Sequence, residues 1–434
     1  MKRLALLPLL LLATPVLHSA DTPAALTLDD CLRLAAGHPA LAAARAGVTA
    51  AAEAVGEARA PFYPNVDLSA GYHRWQRRAF LPAGFALPGQ GVPELIGPLD
   101  DWNGGLVSRM TLFDFGGRRA GLDAAVARRA GAEAEVEATR ADVRFATRAA
   151  FFSLAAAQDL LAVAQRNLER TEKHLGFAEA RHQAGAVPRA DVLRLQAELA
   201  NARLQLITAG SQVRIAAGRL NTSMGRPAET PLAIASPTDA TPPAGPLDLA
   251  AAFARALEHR PELRADARRA DAARAGVAAA RAARAPTVHA DGAFGWRDTE
   301  WLPEVKEWQA GLSVDLPVFD AGSRAHRVAR SQAELAREEA ALENRRLQIR
   351  EEVWAAASEL ERAWSSIAAN EASVQAAGES LRAVQERYQS GAAVLTDLLD
   401  TQTALARAEA LLAEARWLQR TDQAAFDRAV GAGP

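Results

Sequence analysis

Four segments of the chain alternate between apolar and polar residues with a period of two, which is typical of β-strands with one apolar face. They begin near Val66, Leu106, Val288 and Trp308. The first two segments form one predicted hairpin, and the last two form another. A stretch that is heptad-like, free of proline and rich in Ala, Glu, Arg and Leu follows each hairpin and predicts a continuous helix. The pattern therefore predicts a mixed α and β fold.

The same order of elements occurs twice along the chain. Phe113 recurs as Phe319 and Asp191 recurs as Asp397, with an offset of 206 residues in both cases. Because no residue is gained or lost between these landmarks, the helix between them has a fixed length. In the first copy it covers about residues 118–182, and at about 1.5 Å per residue it is on the order of 95 Å long. Such a helix is too long for the interior of an ordinary globular domain and indicates a duct or a strut.

Shorter helices flank these elements in both copies. Helices over about residues 28–60 and 249–285 precede the two hairpins, and each is bent at an internal proline and ended by proline. Helices over about residues 191–225 and 397–430 run back after each long helix. The lengths predict a wall in which one long helix pairs with two stacked short ones, twice per chain.

The repeats and their flanks predict the domain organisation. A basic start, an apolar run and closing small residues predict a secretory signal peptide at residues 1–20. Residues 21–235 form the first structural repeat, 236–246 a Pro-rich linker, and 247–434 the second repeat. The single cysteine, Cys31, lies inside the mature chain, so we expect neither a lipid anchor nor a disulfide.

The mature chain has no stretch approaching the roughly 18 apolar residues of a membrane-spanning helix. We therefore expect it to be soluble or to cross a membrane as β-strands. The four predicted strands suit a bilayer, because they have one apolar face and tryptophans near their outer ends. Four strands cannot close a barrel, whereas a homotrimer supplies twelve. On the strand pattern alone, a soluble two-hairpin sheet with one wet face remains the alternative. The tryptophans are Trp75, Trp102, Trp296, Trp301 and Trp308.

Composition and motifs narrow the function classes. The 50 basic and 52 acidic residues are interspersed and leave a net charge of −2, which argues against a nucleic-acid partner. The eight histidines are scattered, without a metal-ligand spacing. Asp114 and Asp320 are expected to cap strand-to-helix turns rather than to act as catalytic acids. With no phosphate loop and no Ser/His/Asp constellation, we expect no enzyme, no cofactor and no metal site.

Two duplicated motifs carry a resemblance to a known family. Phe-Asp-x-Gly stands at residues 113–116 and 319–322, and turns with Gly followed by Asp stand at residues 181–193 and 387–400. With the signal peptide and the duplicated element order, these motifs resemble the TolC family of outer-membrane efflux proteins over essentially the whole mature chain. The resemblance implies a trimer with a twelve-strand transmembrane β-barrel, continued by a long α-helical coiled-coil barrel in the periplasm. It also implies a periplasmic adaptor protein and an inner-membrane pump as partners.

The turn of the second copy contains two carboxylates. Asp397 and Asp400 are three residues apart on a predicted helix and therefore share a face. The turn is similar to the family's tunnel entrance, which implies that a trimer gathers six carboxylates in a channel constriction that attracts cations. The alternative is a helix-start aspartate that acts as a cap, with Asp400 in the favourable first turn.

The resemblance also implies a gate latch, in which Tyr388 donates a hydrogen bond to Asp191. A basic residue that completes the latch in the best-known member falls at Ala393 here, so the second half of the latch is missing from the pattern.

The two turns are further predicted to dock the adaptor. A long helix must stop and reverse there, and glycine adopts the left-handed backbone of such a turn most easily. The predicted tips are Gly185, Ala186, Val187, Gly391 and Ala392.

Two functions of different classes follow. The first is a trimeric outer-membrane channel that extends into the periplasm and forms the passive exit duct of a tripartite efflux or type I secretion system. The second is a periplasmic coiled-coil scaffold or adaptor that does not span the membrane. Drugs, metal ions and polypeptides all remain open as cargo of the channel.

Overall fold

The computed structural model of the chain describes residues 25–76, 79–80, 95–96, 99–235, 247–301 and 303–432. The predicted signal peptide and Pro-rich linker lie outside these residues. The helices are α1 (Leu28–Ala35), α2 (Pro39–Arg59), α3 (Gly117–Gln183), α4 (Arg189–Ser223), α5 (Leu249–His259), α6 (Pro261–Ala282), α7 (Ser323–Gln389) and α8 (Leu395–Ala429). The strands are β1 (Asn65–Trp75), β2 (Ala79–Phe80), β3 (Leu95–Ile96), β4 (Leu99–Phe113), β5 (Thr287–Asp298) and β6 (Lys306–Asp315).

The two long helices are continuous, as the sequence predicts. Helices α3 and α7 have 67 residues each, and the return helices α4 and α8 have 35 residues each. These equal lengths confirm that the duplication keeps its spacing through both helices and the turn between them.

The two helices predicted to bend at proline are instead broken there. The first is divided into α1 and α2 before Pro39, and the second into α5 and α6 before Pro261. Proline has no backbone N–H and forces the preceding residue toward extended backbone. The preceding residues, His38 and Arg260, have ψ values of 136° and 119°, so the helical hydrogen-bond ladder stops at each of them.

Both predicted hairpins form, and they join into one antiparallel sheet. The strand order is β1-β4-β5-β6, while β2 and β3 form a separate small pair. Strand β1 pairs with β4 and strand β5 with β6, and the pairing of β4 with β5 links the two repeats. Strands β1 and β6 are the two edges, and neither has a second partner among the described strands.

One face of the sheet is apolar and exposed. Leu68 pairs with Leu106, Leu106 with Phe294, and Phe294 with Trp308, which gives one row across all four strands. All four side chains are exposed. The opposite face is polar, and on it Arg109 donates to the Asp291 carboxylate at 3.1 Å.

Strand β4 departs from simple alternation near its end. Thr111 pairs with His289 and Phe113 pairs with Val288, so Leu112 is the extra residue of a β-bulge. Strict alternation from Leu106 would place Leu112 on the apolar face. In the structure Phe113 takes that place opposite Val288.

The Phe-Asp-x-Gly motifs form the turns from strand to long helix, as predicted for Asp114 and Asp320. The Asp114 carboxylate accepts from the backbone N–H of Gly116 at 3.3 Å and of Arg118 at 2.6 Å. Asp320 accepts from the equivalent groups of the second copy at 3.1 and 3.0 Å. The residue between Asp and Gly has positive φ in both turns, 50° at Phe115 and 53° at Ala321. The prediction that the two aspartates are caps is confirmed.

The described residues divide into two compact units, each with its own core. The first unit includes the described residues up to Ala36, those of Ala146–Pro242, and Ser365–Thr421; the second includes Gly37–Phe145, the described residues of Pro243–Trp364, and those from Asp422 onward. In the first unit the free Cys31 thiol is buried beside Phe151 and Leu220. In the second, Ile349 and Val353 are fully buried. The two predicted repeats are consecutive parts of the chain, whereas each compact unit combines segments of both repeats. The division into repeats therefore stays a prediction.

A search of the described helices found no segment both long and apolar enough to cross a membrane.

Candidate functional site

The turns at the ends of the long helices have the same geometry. Gly185 and Gly391 have φ values of 72° and 81°, the left-handed backbone that the sequence predicts for them. The N–H of Ala186 donates to the Arg181 carbonyl at 2.8 Å, and the equivalent N–H of Ala392 donates to the Arg387 carbonyl at 2.7 Å. These bonds satisfy the last helical carbonyls and close both helices in the same way.

An arginine of the first copy joins the two turns. The Arg181 guanidinium donates to the Tyr388 carbonyl at 2.9 Å. It also lies 5.6 Å from the centre of the Phe177 ring and 5.7 Å from that of Tyr388, close enough for cation–π attraction to both. No pattern in the sequence predicts this role for Arg181. The duplication does mark this position, because the second copy also has an arginine there, Arg387, 206 residues later.

The predicted latch tyrosine is buried at this junction. Tyr388 is 4% exposed, and its hydroxyl has no hydrogen-bond partner among the residues that the structure describes. Burial raises the pKa of the Tyr388 hydroxyl, the Asp191 carboxylate raises it further, and the Arg181 guanidinium lowers it. The hydroxyl therefore stays protonated near neutral pH and keeps a proton to donate. Asp191 is close enough to act on Tyr388 by charge, but the predicted latch bond is not formed within this chain.

The two aspartates of the second-copy turn lie on the exposed side of α8. Both Asp397 and Asp400 are exposed, whereas Leu398 between them is fully buried. Asp397 is in the first turn of the helix, which begins at Leu395. Neither carboxylate has a hydrogen-bond or ion-pair partner among the described residues. The two carboxylates are thus free to face a neighbouring chain, a channel or solvent.

The tip residues predicted to dock a partner are accessible. Gly185, Ala186, Gly391 and Ala392 are exposed, and Val187 is half-buried. Behind them the turns rest on one apolar cluster, whose fully buried members are Ala178, Leu195 and Leu398. A firm support of this kind holds the tips in a defined position.

A buried polar layer lies farther along the helices of the same unit. The Gln402 side-chain amide donates to Asn167 Oδ1 at 3.2 Å and to the Thr171 hydroxyl at 2.7 Å. Close by, the Arg170 guanidinium pairs with Glu409 at 2.7 Å. These contacts fix the register of α3 against α8, because a slip would leave buried polar groups without partners. This layer could not be predicted from the sequence, because polar residues in an Ala-rich helix give no signal of burial.

The same layer includes a titratable group. His174 is buried, and burial together with the charge of Arg170 lowers the pKa of its imidazole. The neutral ring is therefore the form favoured in the folded chain.

The chain combines three features that are typical of outer-membrane export channels. One face of its sheet is apolar and exposed. An aspartate-capped turn leads into each long helix, and a tight turn after each long helix returns the chain along a shorter one. The family model for outer membrane efflux proteins matches residues 33–226 and 252–432. The chain belongs to this family, whose members are transport channels. It is an outer-membrane protein that extends into the periplasm and serves as an efflux or secretion channel, and the family resemblance found in the sequence is confirmed.

Individual relatives agree with this assignment. Protein CyaE of Bordetella pertussis is 31% identical over 403 residues, which cover 90% of this chain and 82% of the relative. The outer membrane protein VceC of Vibrio cholerae has the same fold, with a TM-score of 0.80, 20% identity, and coverage of 94% of this chain and 96% of that chain. The open state of the MtrE outer membrane channel of Neisseria gonorrhoeae gives a TM-score of 0.78 at 23% identity, covering 94% and 89% of the two chains. The channel is favoured over the periplasmic scaffold.

Proposed function

We propose that the chain works as a homotrimer whose sheets close into one transmembrane barrel of twelve strands. The observation that carries this proposal is the sheet itself, which has one continuous exposed apolar face and two edges, β1 and β6, that have no second partner among the described strands. In lipid, unpaired edge N–H and C=O groups cost several kcal/mol each, so the edges must be satisfied by another sheet. Three copies supply a closed ring in contact with lipid through the apolar face.

The helices of the three chains form a periplasmic tunnel in this proposal. The mature chain consists of the repeats at 21–235 and 247–434, joined by the linker at 236–246, after removal of residues 1–20. The channel is a passive conduit and not an enzyme. A periplasmic adaptor protein and an inner-membrane pump supply the energy and open it.

The constriction of the tunnel is formed by Asp397 and Asp400 of the three chains. Both carboxylates are exposed and have no partner among the residues that the structure describes, which supports this role, since a ring of six unpaired carboxylates would attract cations strongly in a narrow passage. Like charges at short distance also disfavour full ionisation. The ring would therefore favour passage of cations and be blocked by multivalent ones.

The gate is held shut by Tyr388 and Asp191. The Tyr388 hydroxyl is buried without a partner among the described residues, which costs about 1 to 3 kcal/mol, and a bond to Asp191, whose charge already acts on Tyr388, would remove that cost and supports this role. With Ala393 in place of a basic residue, the latch depends on this one bond. The Arg181 guanidinium contacts the Tyr388 ring and donates to the Tyr388 carbonyl, which holds the Tyr388 backbone in position.

The adaptor docks at the tips, Gly185, Ala186, Val187, Gly391 and Ala392. Four of these residues, Gly185, Ala186, Gly391 and Ala392, are small and exposed, so a partner protein could approach the turns closely, which supports this assignment.

Purification in detergent followed by planar-bilayer recording tests the proposed function. The full chain should fractionate with the outer membrane, run as a trimer by native mass measurement, and give cation-selective conductance. A detergent-independent monomer without conductance would refute it. The scaffold alternative predicts that result.

A further inference from the structure

The apolar face of the sheet has a gap in its side chains. The row of paired residues that includes Leu106 is filled by large side chains, whereas the next row toward the strand loops pairs Ala70 with Gly104 and Gly104 with Trp296. The result is a groove of about 320 Å³ at Gly104. Most of the side chains that line it are apolar, and these are Leu68, Ala70, Leu106, Phe294, Trp296 and Pro303.

The space at Gly104 is not imposed by a close approach of the backbone. Apart from its chain neighbours, a Cβ added at Gly104 would meet only the Ser69 carbonyl oxygen among the described atoms, at 3.9 Å. On the opposite face, a Cβ added at Gly105 would meet the Cα of Gly295 at 2.6 Å, so glycine is required there. Glycine inside a strand weakens the strand and often marks a site where a ligand approaches closely.

The groove lies toward the end of the sheet that is remote from the long helices. Helix α2 leads into the start of β1 and α3 follows the end of β4, so the other ends of these strands lead to their loop. In the next row toward that loop, the Tyr72 and Trp102 rings are 4.2 Å apart, and Trp301 packs edge-on against Trp102 at 4.6 Å. Such rings mark the interface between hydrocarbon and headgroups in membrane barrels. Because the helices extend into the periplasm, this interface belongs to the outer leaflet.

One charged side chain on the apolar face is left without a partner. Arg74 donates to the Asp100 carboxylate at 2.8 Å, and Asp298 accepts from a loop backbone N–H at 2.7 Å. Lys306 is exposed, lies directly opposite Trp296, and has no hydrogen-bond or ion-pair partner among the residues that the structure describes. A lysine ammonium binds phosphate as a point charge, and its long stem can follow an apolar surface to the headgroup level.

We propose that the groove at Gly104 binds one acyl chain of a phosphorylated glycolipid of the outer leaflet, with a phosphate of its headgroup on Lys306. This proposal rests on the proposed membrane barrel and deepens it by assigning a lipid site. The apolar walls recognise the chain, and the lysine recognises the charge of the headgroup. A phospholipid of no net charge makes only the first of these contacts.

Native mass spectrometry of the full-length protein in mild detergent tests the proposal. The trimer is titrated with lipid A, the membrane anchor of the outer-leaflet glycolipid, and in parallel with phosphatidylethanolamine, which has no net charge. We expect saturable binding of one lipid A per chain, at lower lipid concentration than for phosphatidylethanolamine.

The first variant fills the groove. Gly104→Leu places an apolar side chain where the acyl chain would lie, and we expect lipid A to bind about tenfold more weakly, as for the loss of about two buried methylene contacts. Gly292→Leu is the matched control. Gly292 lies on the same face, outside the groove, and a Cβ there would likewise meet only a described backbone carbonyl, that of Gln309 at 3.9 Å. This control should bind lipid A as the wild type does.

The second variant removes the charge. Lys306→Gln should weaken binding of lipid A about fivefold, the effect of one cationic residue near an anionic headgroup, and should leave binding of phosphatidylethanolamine unchanged. Lys306→Arg keeps the charge and should bind lipid A like the wild type.

The outcomes separate this lipid site from the channel itself. A wild-type trimer that retains no lipid A would overturn the site, which is also the result expected if another part of the chain fills the groove. Equal binding by Gly104→Leu and Gly292→Leu would overturn the placement of the acyl chain. Equal loss of both lipids in Lys306→Gln would overturn the headgroup contact. A monomer in detergent would mean that the proposed function fails as well.

Discussion

Charge on the apolar face of the sheet provides a direct test of membrane insertion. Leu312 is 75% exposed and pairs with Ala290 on that face. If the face contacts lipid, Leu312→Asp places a carboxylate in hydrocarbon. Gln309→Asp is the matched control, because Gln309 lies on the polar face of the same strand opposite Ala293 and is exposed. Ser313 is less suitable as the control position, because its hydroxyl already contacts the Asp291 carboxylate at 3.3 Å.

The expected cost follows from the depth of the side chain. A basic residue on the lipid face costs up to about 2 to 4 kcal/mol at the bilayer centre and an acidic residue less, so about 2 kcal/mol per chain is the estimate. At about 1.4 kcal/mol per tenfold change, this corresponds to roughly a thirtyfold drop in the insertion equilibrium of each chain. In the proposed trimer the three substituted residues belong to separate chains, so we expect their costs to add to about 6 kcal/mol per trimer.

The assay measures the fraction of protein that reaches the outer membrane as trimer, by fractionation and native electrophoresis. We expect the trimer to be nearly absent for Leu312→Asp and near the wild-type level for Gln309→Asp. Val314→Asp, also exposed on the apolar face, should behave like Leu312→Asp. Equal trimer levels for all three variants would show that the apolar face is not in lipid.

Three further predictions concern the turns. Replacing Asp397 and Asp400 by Asn removes up to six charges with little change in size, so single-channel recording should show lower cation selectivity and weaker block by divalent or trivalent cations; unchanged values would place the gate elsewhere. Tyr388→Phe removes only the buried hydroxyl, and we expect higher resting conductance in planar bilayers from loss of the latch bond, whereas unchanged conductance would mean that Tyr388 only packs. Ala186→Trp or Ala392→Trp should abolish export in cells while trimer level and membrane location stay normal, because both positions are exposed; loss of trimer would assign them to folding instead.

Local features of this chain could be predicted from its sequence because they depend on neighbouring residues. The caps at Asp114 and Asp320 follow from a short side chain placed before a helix. The left-handed turns at Gly185 and Gly391 follow from the freedom of glycine, and the fixed length of the long helices follows from the duplication. The positions of the two interruptions, at Pro39 and Pro261, follow from proline, but the sequence predicts only a bend at each, whereas the helix stops there.

Features that join distant parts of the chain were decided only by the tertiary structure. The pairing of β4 with β5, the bulge at Leu112, and the position of Arg181 against Tyr388 all bring together residues of different repeats or elements. The burial of Asn167 with Gln402 is of the same kind. An alternating or heptad pattern states which face of an element is apolar, but it carries no information on which other element covers that face. The partner of each element, its register and the burial of its side chains follow from packing of the whole fold. A slip of one residue there would expose apolar side chains or leave buried polar groups without hydrogen-bond partners.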